Sequence, residues 1–315
     1  MTETTKIIFE KYQVRKTRKQ KALFRKYAIE TAQNMGYTAV EQKGVGVRNV
    51  VVGNPETAKV VYTAHYDTCP VLPFPNFITP KRIGLYILYS IGLALVLCAA
   101  AFLLFGTVYS VLSLVLKSCS VSPRIISNVL DLVGILAFAS ILAFMLFGPA
   151  NKHTANDNTS GVTTLFDLMA AMPEELRDKV AFIFFDGEEQ GMLGSSSFAS
   201  KHKTVKKTKP VINFDCVSDG ENFIFAVRKK ADKAIIPLLN QAYTSDKFAV
   251  EVLDKGVIYP SDQLQFKNGV GVASLNKSKG GILYMNRIHT KRDTIYNEEN
   301  IEFLVNGSIK LAEII

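Results

Sequence analysis

A long uncharged stretch in the middle of the chain limits its architecture more than any other feature. No charged residue occurs at positions 83–116, and positions 125–150 contain only one, Asp131. An α-helix needs about 20 apolar residues to cross the hydrocarbon core of a membrane, and both runs exceed that length. The polar segment SCSVSPR between the runs predicts a turn. We therefore predict a transmembrane helical hairpin with spans at about 83–106 and 126–148.

The polar segments on either side of the hairpin are expected to form one domain. Two buried core helices or an apolar dimer interface would also use such runs, but core helices rarely extend so far without a charge. A hairpin leaves residues 1–82 and 149–315 on the same side of the membrane. The first of these segments contains 14 Lys or Arg residues and no export signal, so its translocation would be costly. We expect a membrane protein that contacts the lipid bilayer through residues 83–148, with its polar domain facing the cytoplasm.

Charge and cysteine content narrow the remaining classes of protein. The formal net charge is +9, which suits nucleic acid or an anionic membrane surface. The sequence contains no zinc finger, RNA-binding aromatic signature or basic recognition helix, so we expect no nucleic-acid partner. The four cysteines include no CxxC pair, and this pattern fits a reducing compartment better than a disulfide framework.

Outside the apolar region, strand patterns alternate with helix patterns. Short apolar runs predict strands at 59–65, 180–186, 210–215 and 222–227. Helical spacing of apolar residues predicts helices at 17–35, 161–172, 231–243 and 300–314. This alternation is typical of an α/β domain with a mostly parallel sheet. Ligands of such domains bind beyond the carboxyl ends of the strands.

Side chains that can bind a metal or carry a proton stand at the predicted strand ends and helix starts. They are His65, Asp67, Asp157, Glu188, Glu189, Asp215, His289 and Asp293. A mixed set of histidines and carboxylates suits zinc, and its size suits two ions rather than one. A carboxylate near a ligating histidine can fix the orientation of the ring, and Asp67 is placed to do this for His65.

Six motifs, in this order along the chain, resemble those of the M28 family of zinc aminopeptidases. They are HYD at 65–67, NDNTSG at 156–161, FFDGEEQGMLGS at 184–195, NFD at 213–215, SDQLQF at 261–266 and IHTKRDT at 288–294. The resemblance covers residues 59–315 apart from the apolar insertion. It implies a three-layer α/β sandwich, in which helices flank a mostly parallel, twisted mixed sheet, with two Zn²⁺ ions and a peptide substrate.

The resemblance also implies a role for each site residue. The metal ligands would be His65 and Asp215 for one ion, Glu189 and His289 for the other, and Asp157 for both. A cis peptide bond is expected between Asp157 and Asn158. Glu188 would be the general base that activates a water between the metals, and Asp67 would assist catalysis. The implied activity is that of a membrane-anchored dizinc exopeptidase, which removes N-terminal residues from peptides.

Two departures from the family pattern affect the substrate. Gln263 stands where the family usually has a histidine that shapes the pocket. The loop between Asp67 and Asp157, normally short, contains the hairpin, so we expect the membrane to restrict substrates to short or membrane-proximal peptides. A catalytically idle membrane scaffold and a glutaminyl-cyclase-like enzyme with one zinc are the alternatives. The complete set of ligands and base argues against the first, and the two-metal set argues against the second.

Overall fold

Two compact units are distinguished in the computed structural model, which describes residues 1–119 and 121–315 except for the side chains of residues 142, 145 and 146. One unit consists of Met1–Ile83 and Ala150–Ile315, and the other consists of Gly84–Pro149. The apolar segment is therefore a unit of its own, inserted into the chain of the first.

The first unit contains a mixed sheet with helices. Its described residues form the strands β1 (Ala39–Lys43), β2 (Arg48–Val52), β3 (Val60–His65), β4 (Val180–Phe185), β5 (Pro210–Phe214), β6 (Asn222–Val227), β7 (Ala249–Leu253), β8 (Asn268–Lys277) and β9 (Leu283–Tyr284). Its helices are α1 (Glu3–Lys11), α2 (Arg18–Asn34), α5 (Gly161–Ala171), α6 (Leu193–Lys201), α7 (Lys203–Thr208), α8 (Ile235–Ala242) and α9 (Glu298–Ile314). The helices predicted at 17–35, 161–172 and 300–314 are present, whereas the one predicted at 231–243 is shorter.

The strands follow the order β1-β2-β4-β3-β5-β8-β6-β7, and β9 pairs with β8. The four central strands β4, β3, β5 and β8 are parallel, whereas β2 and β6 run antiparallel to their central neighbours. His65 at the end of β3 is paired with Phe185 at the end of β4. The residues that follow β3, β4 and β5 therefore emerge at one edge of the sheet, where the site residues were predicted.

Alternating side chains of β4 show how the sheet becomes the middle of three layers. Phe184 packs against Phe166 of α5, with ring centroids 5.0 Å apart. Its neighbour Phe185 points to the opposite face, where it contacts Phe198 of α6 at 5.7 Å. Because successive side chains of a strand face opposite sides, an unbroken apolar run requires cover on both faces. The predicted fold class, a mixed α/β sandwich, is confirmed.

The second unit is built from two long apolar helices. Within the described residues, two helices are long and apolar enough to cross a membrane, α3 (Ile83–Ser118) and the part Pro123–Ile141 of α4 (Pro123–Phe147). Helix α3 continues past residue 106, where the first span was predicted to end. Its 36 residues rise by about 54 Å, more than the ~30 Å of a hydrocarbon core. The two helices pack at Gly134, where an added Cβ would lie 3.1 Å from the ring of Phe105.

Candidate metal centre

Two groups of potential metal ligands lie at the carboxyl edge of the sheet and share one aspartate. Among the described residues, ligand atoms lie within 4.8 Å of one another in the groups His65, Asp157, Asp215 and Cys69, Asp157, Glu189, His289. All five ligands predicted from the sequence therefore come together. Cys69 was not predicted.

The carboxylate of Asp157 lies between the two predicted histidines. Its Oδ1 is 3.3 Å from Nε2 of His65, and its Oδ2 is 2.9 Å from Nε2 of His289. His65 Nε2 is also 3.5 Å from Asp215 Oδ1, and His289 Nε2 is 3.4 Å from Glu189 Oε2. The peptide bond between Asp157 and Asn158 is cis. Each oxygen of Asp157 thus belongs to a different group of ligands.

The turn Ala155–Ser160, which carries Asp157, is held by Asp293. The backbone N–H groups of Asn156 and Asp157 donate to Oδ1 and Oδ2 of Asp293 at 2.7 and 3.0 Å. Burial raises the pKa of Asp293 to about 8, and the nearby Asp157 adds to this effect. Asp293 of the IHTKRDT motif therefore fixes the backbone of the shared aspartate and lies outside both groups of ligands.

Asp67 holds the backbone of both adjacent glutamates. Its Oδ1 accepts a hydrogen bond from the N–H of Glu188 at 3.0 Å, and its Oδ2 accepts one from the N–H of Glu189 at 3.3 Å. Nδ1 of His65 lies 3.1 Å from the backbone carbonyl oxygen of Asp67 and 3.6 Å from its carboxylate. The ring of His65 is therefore oriented mainly by a backbone carbonyl, which leaves Nε2 turned toward the other ligands.

The glutamates and histidines of the site have strongly raised pKa values. Burial raises the pKa of Glu189 to about 8 and that of Glu188 well above its ordinary value. Burial alone would lower the pKa of His289, but Glu189 and Asp157 raise it to about 10. Burial would likewise lower the pKa of His65, yet Asp157 and Asp215 raise it well above the usual range. Protons are thus held where carboxylates and imidazoles converge, and a cation can take their place.

The donor atoms of the site fit a divalent metal. Imidazole nitrogens and carboxylate oxygens are the usual zinc ligands. In the part of the chain that the structure describes, Oε1 of Glu189 is buried without a hydrogen-bond partner. An unpaired buried carboxylate oxygen is costly unless it is charge-compensated, and a cation between Glu189 and His289 would provide that compensation.

Two buried charged residues near the site, Arg15 and Asp262, were not among the predicted site residues. Arg15 is fully buried, and its guanidinium donates to the carbonyl oxygens of Tyr66 and Tyr12 and to Oγ1 of Thr159. Arg15 precedes residues 59–315, the region that resembles the family. Asp262 is also fully buried, and burial raises its pKa to about 7. Its charge contributes to the raised pKa of Glu188.

Gln263, in the position where a histidine was expected, is buried against the sheet. Its Nε2 donates to the carbonyl oxygen of Tyr259 at 2.6 Å, and its Oε1 accepts from Nδ2 of Asn213 at 3.2 Å. The hydroxyl of Tyr259 in turn donates to the backbone carbonyl oxygen of Asp215 at 2.9 Å. Gln263 therefore supports the strand and loop around a predicted ligand.

Solved structures of similar fold include enzymes of two kinds. A Zn-dependent exopeptidase from Parabacteroides distasonis has a TM-score of 0.58 and 16% identity, covering 99% of this chain and 95% of that one. A leucine aminopeptidase precursor from Bacteroides thetaiotaomicron has a TM-score of 0.57 and 14% identity, with 99% and 94% covered. A glutaminyl cyclase from Porphyromonas gingivalis has a TM-score of 0.58 and 16% identity, with 98% and 97% covered. These likenesses show a common fold.

Family membership follows from the sequence match. No curated protein sequence matches the chain significantly. The model of peptidase family M28 matches residues 132–312, which is more than half of the chain. The matched region contains four of the five predicted ligands together with Glu188 and Asp293. The chain therefore belongs to peptidase family M28.

Proposed function

We propose that this protein is a membrane-anchored zinc exopeptidase with two metal ions, which removes residues from the N-termini of peptides. The observation that carries the proposal is the position of Asp157, whose two carboxylate oxygens face different histidines at 3.3 and 2.9 Å. One carboxylate shared in this way supports two neighbouring cation sites. Membership of peptidase family M28 and the similar fold of a Zn-dependent exopeptidase support the choice of reaction and metal.

Each ion would be held by three of the predicted ligands. His65, Asp157 and Asp215 would hold one ion, and Asp157, Glu189 and His289 would hold the other. Two zinc ions bound there would polarise the scissile carbonyl group and make the attacking water more acidic. The carboxylate of Asp67 would hold both glutamates in place by accepting hydrogen bonds from their backbone N–H groups.

Glu188 is the proposed general base. It lies in the loop after β4, beside the proposed ligand Glu189. Because it belongs to neither group of potential ligands, its carboxylate remains free for proton transfer. Burial raises its pKa well above the ordinary value, and a carboxylate with a raised pKa can take a proton from water and return it to the leaving amine. The carboxylate would therefore carry the proton from the nucleophile to the new N-terminus.

The hairpin is the proposed membrane anchor. Helices α3 and α4 are apolar enough to span a bilayer, and such exposed apolar surface requires lipid or protein cover. We place the peptidase domain at 1–82 and 149–315, with the hairpin at 83–148 between its parts. The 14 basic residues of positions 1–82 support a cytoplasmic location for the domain.

The test of this function is the substitution Glu188→Gln in the full chain. We expect the variant to retain zinc and to lose hydrolysis by at least ~100-fold, the usual contribution of a positioned acid–base group. Zinc would be measured by elemental analysis, and peptide products by mass spectrometry with and without chelator. The exposed Glu221→Gln is the matched control. Unchanged turnover in the Glu188 variant would refute the assigned role.

A glutaminyl-cyclase-like activity is the second candidate, because a glutaminyl cyclase has a fold as similar as those of the peptidases. The same mass-spectrometric assay of peptide products separates the two activities when the substrate is a peptide with N-terminal glutamine. An exopeptidase releases the residue and shortens the peptide, whereas a cyclase removes ammonia and leaves the length unchanged. If neither product forms and no metal is bound, the protein is an idle scaffold.

A further inference from the structure

The thiol of Cys69 lies in the same group of potential ligands as His289. Cys69 follows Asp67 by two residues, and its side chain is 1% exposed. Its Sγ lies within 4.8 Å of ligand atoms of Asp157, Glu189 and His289. The HYD motif ends at Asp67, so the family resemblance implies no role for Cys69.

We propose that Cys69 is a fourth protein ligand, through Sγ, of the cation held by Asp157, Glu189 and His289. The inference rests on the proposed metal centre and adds a sulfur donor to one side of it. A second observation concerns the same group of residues: Oε1 of Glu189, a member of the group, is buried without a hydrogen-bond partner among the described residues. The thiol releases its proton to solvent when the ion binds, since the thiolate is the ligand form.

Backbone contacts hold Cys69 beside His289. The N–H of Leu72 donates to the carbonyl oxygen of His289 at 2.7 Å. The N–H of Asn151 donates to the carbonyl oxygen of Cys69 at 3.1 Å, and Nδ2 of Asn151 donates to the carbonyl oxygen of Thr290. The loop after β3 is thereby joined to the loop of His289 directly at Leu72 and through Asn151 at Cys69. The backbone of Cys69 is thus held beside the loop of His289.

A sulfur ligand would make the two cation sites unequal. An ion with four protein donors would take up water or substrate only by expansion to five-coordination, whereas three donors leave one position open. Thiolate also favours zinc and other soft ions over magnesium or manganese. The His65 group, with one nitrogen and two carboxylates, would remain the open and less selective site.

Cys216 provides a matched control within the same fold. It is also buried and also follows a strand that leads to the site. Its Sγ, however, donates a hydrogen bond to Oδ1 of Asp215 at 3.1 Å, and it belongs to neither group of ligands. A general effect of removing a buried thiol should therefore appear equally in Cys69 and Cys216 variants.

The experiment is a Co²⁺ titration of the metal-free full chain in detergent micelles under reducing conditions. Cys98 and Cys119, which are exposed, are first replaced with serine so that they cannot bind cobalt. Visible cobalt bands report binding at any site, and a near-ultraviolet sulfur-to-cobalt charge-transfer band reports a thiolate ligand. We expect both signals in the protein that lacks Cys98 and Cys119, and also in its Cys216→Ser derivative. In the Cys69→Ser derivative we expect the visible bands without the charge-transfer band, and binding at this site at least about tenfold weaker.

The proposal fails if the protein with serine at positions 98 and 119 and with Cys69 intact shows visible bands but no charge-transfer band. This outcome does not depend on whether a Cys69 variant folds. It also fails if the band persists in the Cys69→Ser derivative. Either result leaves the metal centre itself intact. Absence of all cobalt bands would instead overturn the proposed metal centre, and the role of Cys69 with it.

Discussion

Arg15 and Thr159 join the N-terminal segment to the turn that carries the shared aspartate. Both terminal nitrogens of the guanidinium lie within hydrogen-bond distance of Thr159 Oγ1, at 3.2 and 3.3 Å. The same guanidinium donates to the carbonyl oxygen of Tyr66, next to the ligand His65. One buried cation therefore contacts residues near two predicted ligands, and the N-terminal segment belongs to the same compact unit as the site.

Replacing Arg15 with lysine should destabilise the protein. A lysine cannot reach all the acceptors that the planar guanidinium serves, and each buried acceptor left unpaired costs about 1–3 kcal/mol. We expect the free energy of unfolding to fall by about 2 kcal/mol or more, with weaker zinc binding. Urea unfolding in micelles and a zinc competition assay measure the two effects. The exposed Arg18→Lys should change the free energy by no more than about 0.5 kcal/mol, and equal effects of both substitutions would contradict the assigned position of Arg15.

The difference between Arg15 and His65 shows what the sequence can predict. His65 ends an apolar run, and parallel strands bring such ends together at one edge, so its position follows from pattern. Arg15 lies in a basic segment without a buried-strand signal, and most residues of that kind are solvated. The same holds for Cys69, which becomes a potential ligand only through long-range contacts with the loop of His289.

Strand β8 was missed for a related reason. Its sequence NGVGVASLNK contains two glycines, which normally weaken a strand. In the folded protein a Cβ at Gly271 would lie 2.5 Å from Nε2 of Gln263. Gly271 is thus required because the side chain of Gln263 packs closely against this strand. The local sequence does not indicate that contact.

Asp293→Asn should weaken the metal centre while leaving the fold intact. Asp293 accepts from two successive N–H groups, including that of Asp157, and an asparagine has only one acceptor oxygen for them. Loss of such a supporting partner typically reduces metal affinity about 10- to 100-fold. Zinc affinity would be measured by chelator competition, with the exposed Asp246→Asn as control. An unchanged affinity would show that Asp157 keeps its position without Asp293.

Zinc affinity should rise with pH. In the metal-free protein, burial raises the pKa of Glu189 to about 8, and Glu189 and Asp157 raise that of His289 to about 10 against the effect of burial. Both groups hold protons at neutral pH and must lose them to bind metal. Each released proton contributes about a tenfold gain in affinity per pH unit between about pH 6 and pH 8.

Competition titrations over this pH range measure the gain, corrected for protonation of the chelator. Glu189→Gln removes one of the titrating groups and should lower the slope, whereas the exposed Glu221→Gln should leave it unchanged. An affinity independent of pH would mean that the ligands are already deprotonated in the metal-free protein.

Replacing residues 84–149 with a short flexible linker should release the protein from membranes. The hairpin exposes large apolar side chains, including Phe102 at 73% and Phe138 at 63%, and such surface partitions into lipid. The first unit, Met1–Ile83 with Ala150–Ile315, contains the sheet, both layers of helices and every predicted ligand. We expect the shortened protein in the soluble fraction after alkaline extraction, with the full chain in the pellet. Recovery of both in the same fraction would contradict the anchor.

The same pair of proteins tests whether the membrane restricts the substrate. The hairpin is joined to the first unit at Ile83 and Ala150. Ala150 forms a β-bridge with Pro70, in the loop that follows His65. If the membrane restricts substrates, as we expect from the insertion of the hairpin between Asp67 and Asp157, long peptides should be excluded and short ones should be cleaved. In proteoliposomes, the full chain should therefore cleave short peptides in preference to long ones, and the shortened protein should lose that preference. The ratio of kcat/KM for a short and a long peptide with the same N-terminal residue is the relevant quantity. If the ratio is the same for both proteins, substrate length is not controlled by the membrane, and any preference for short peptides arises within the proposed peptidase domain.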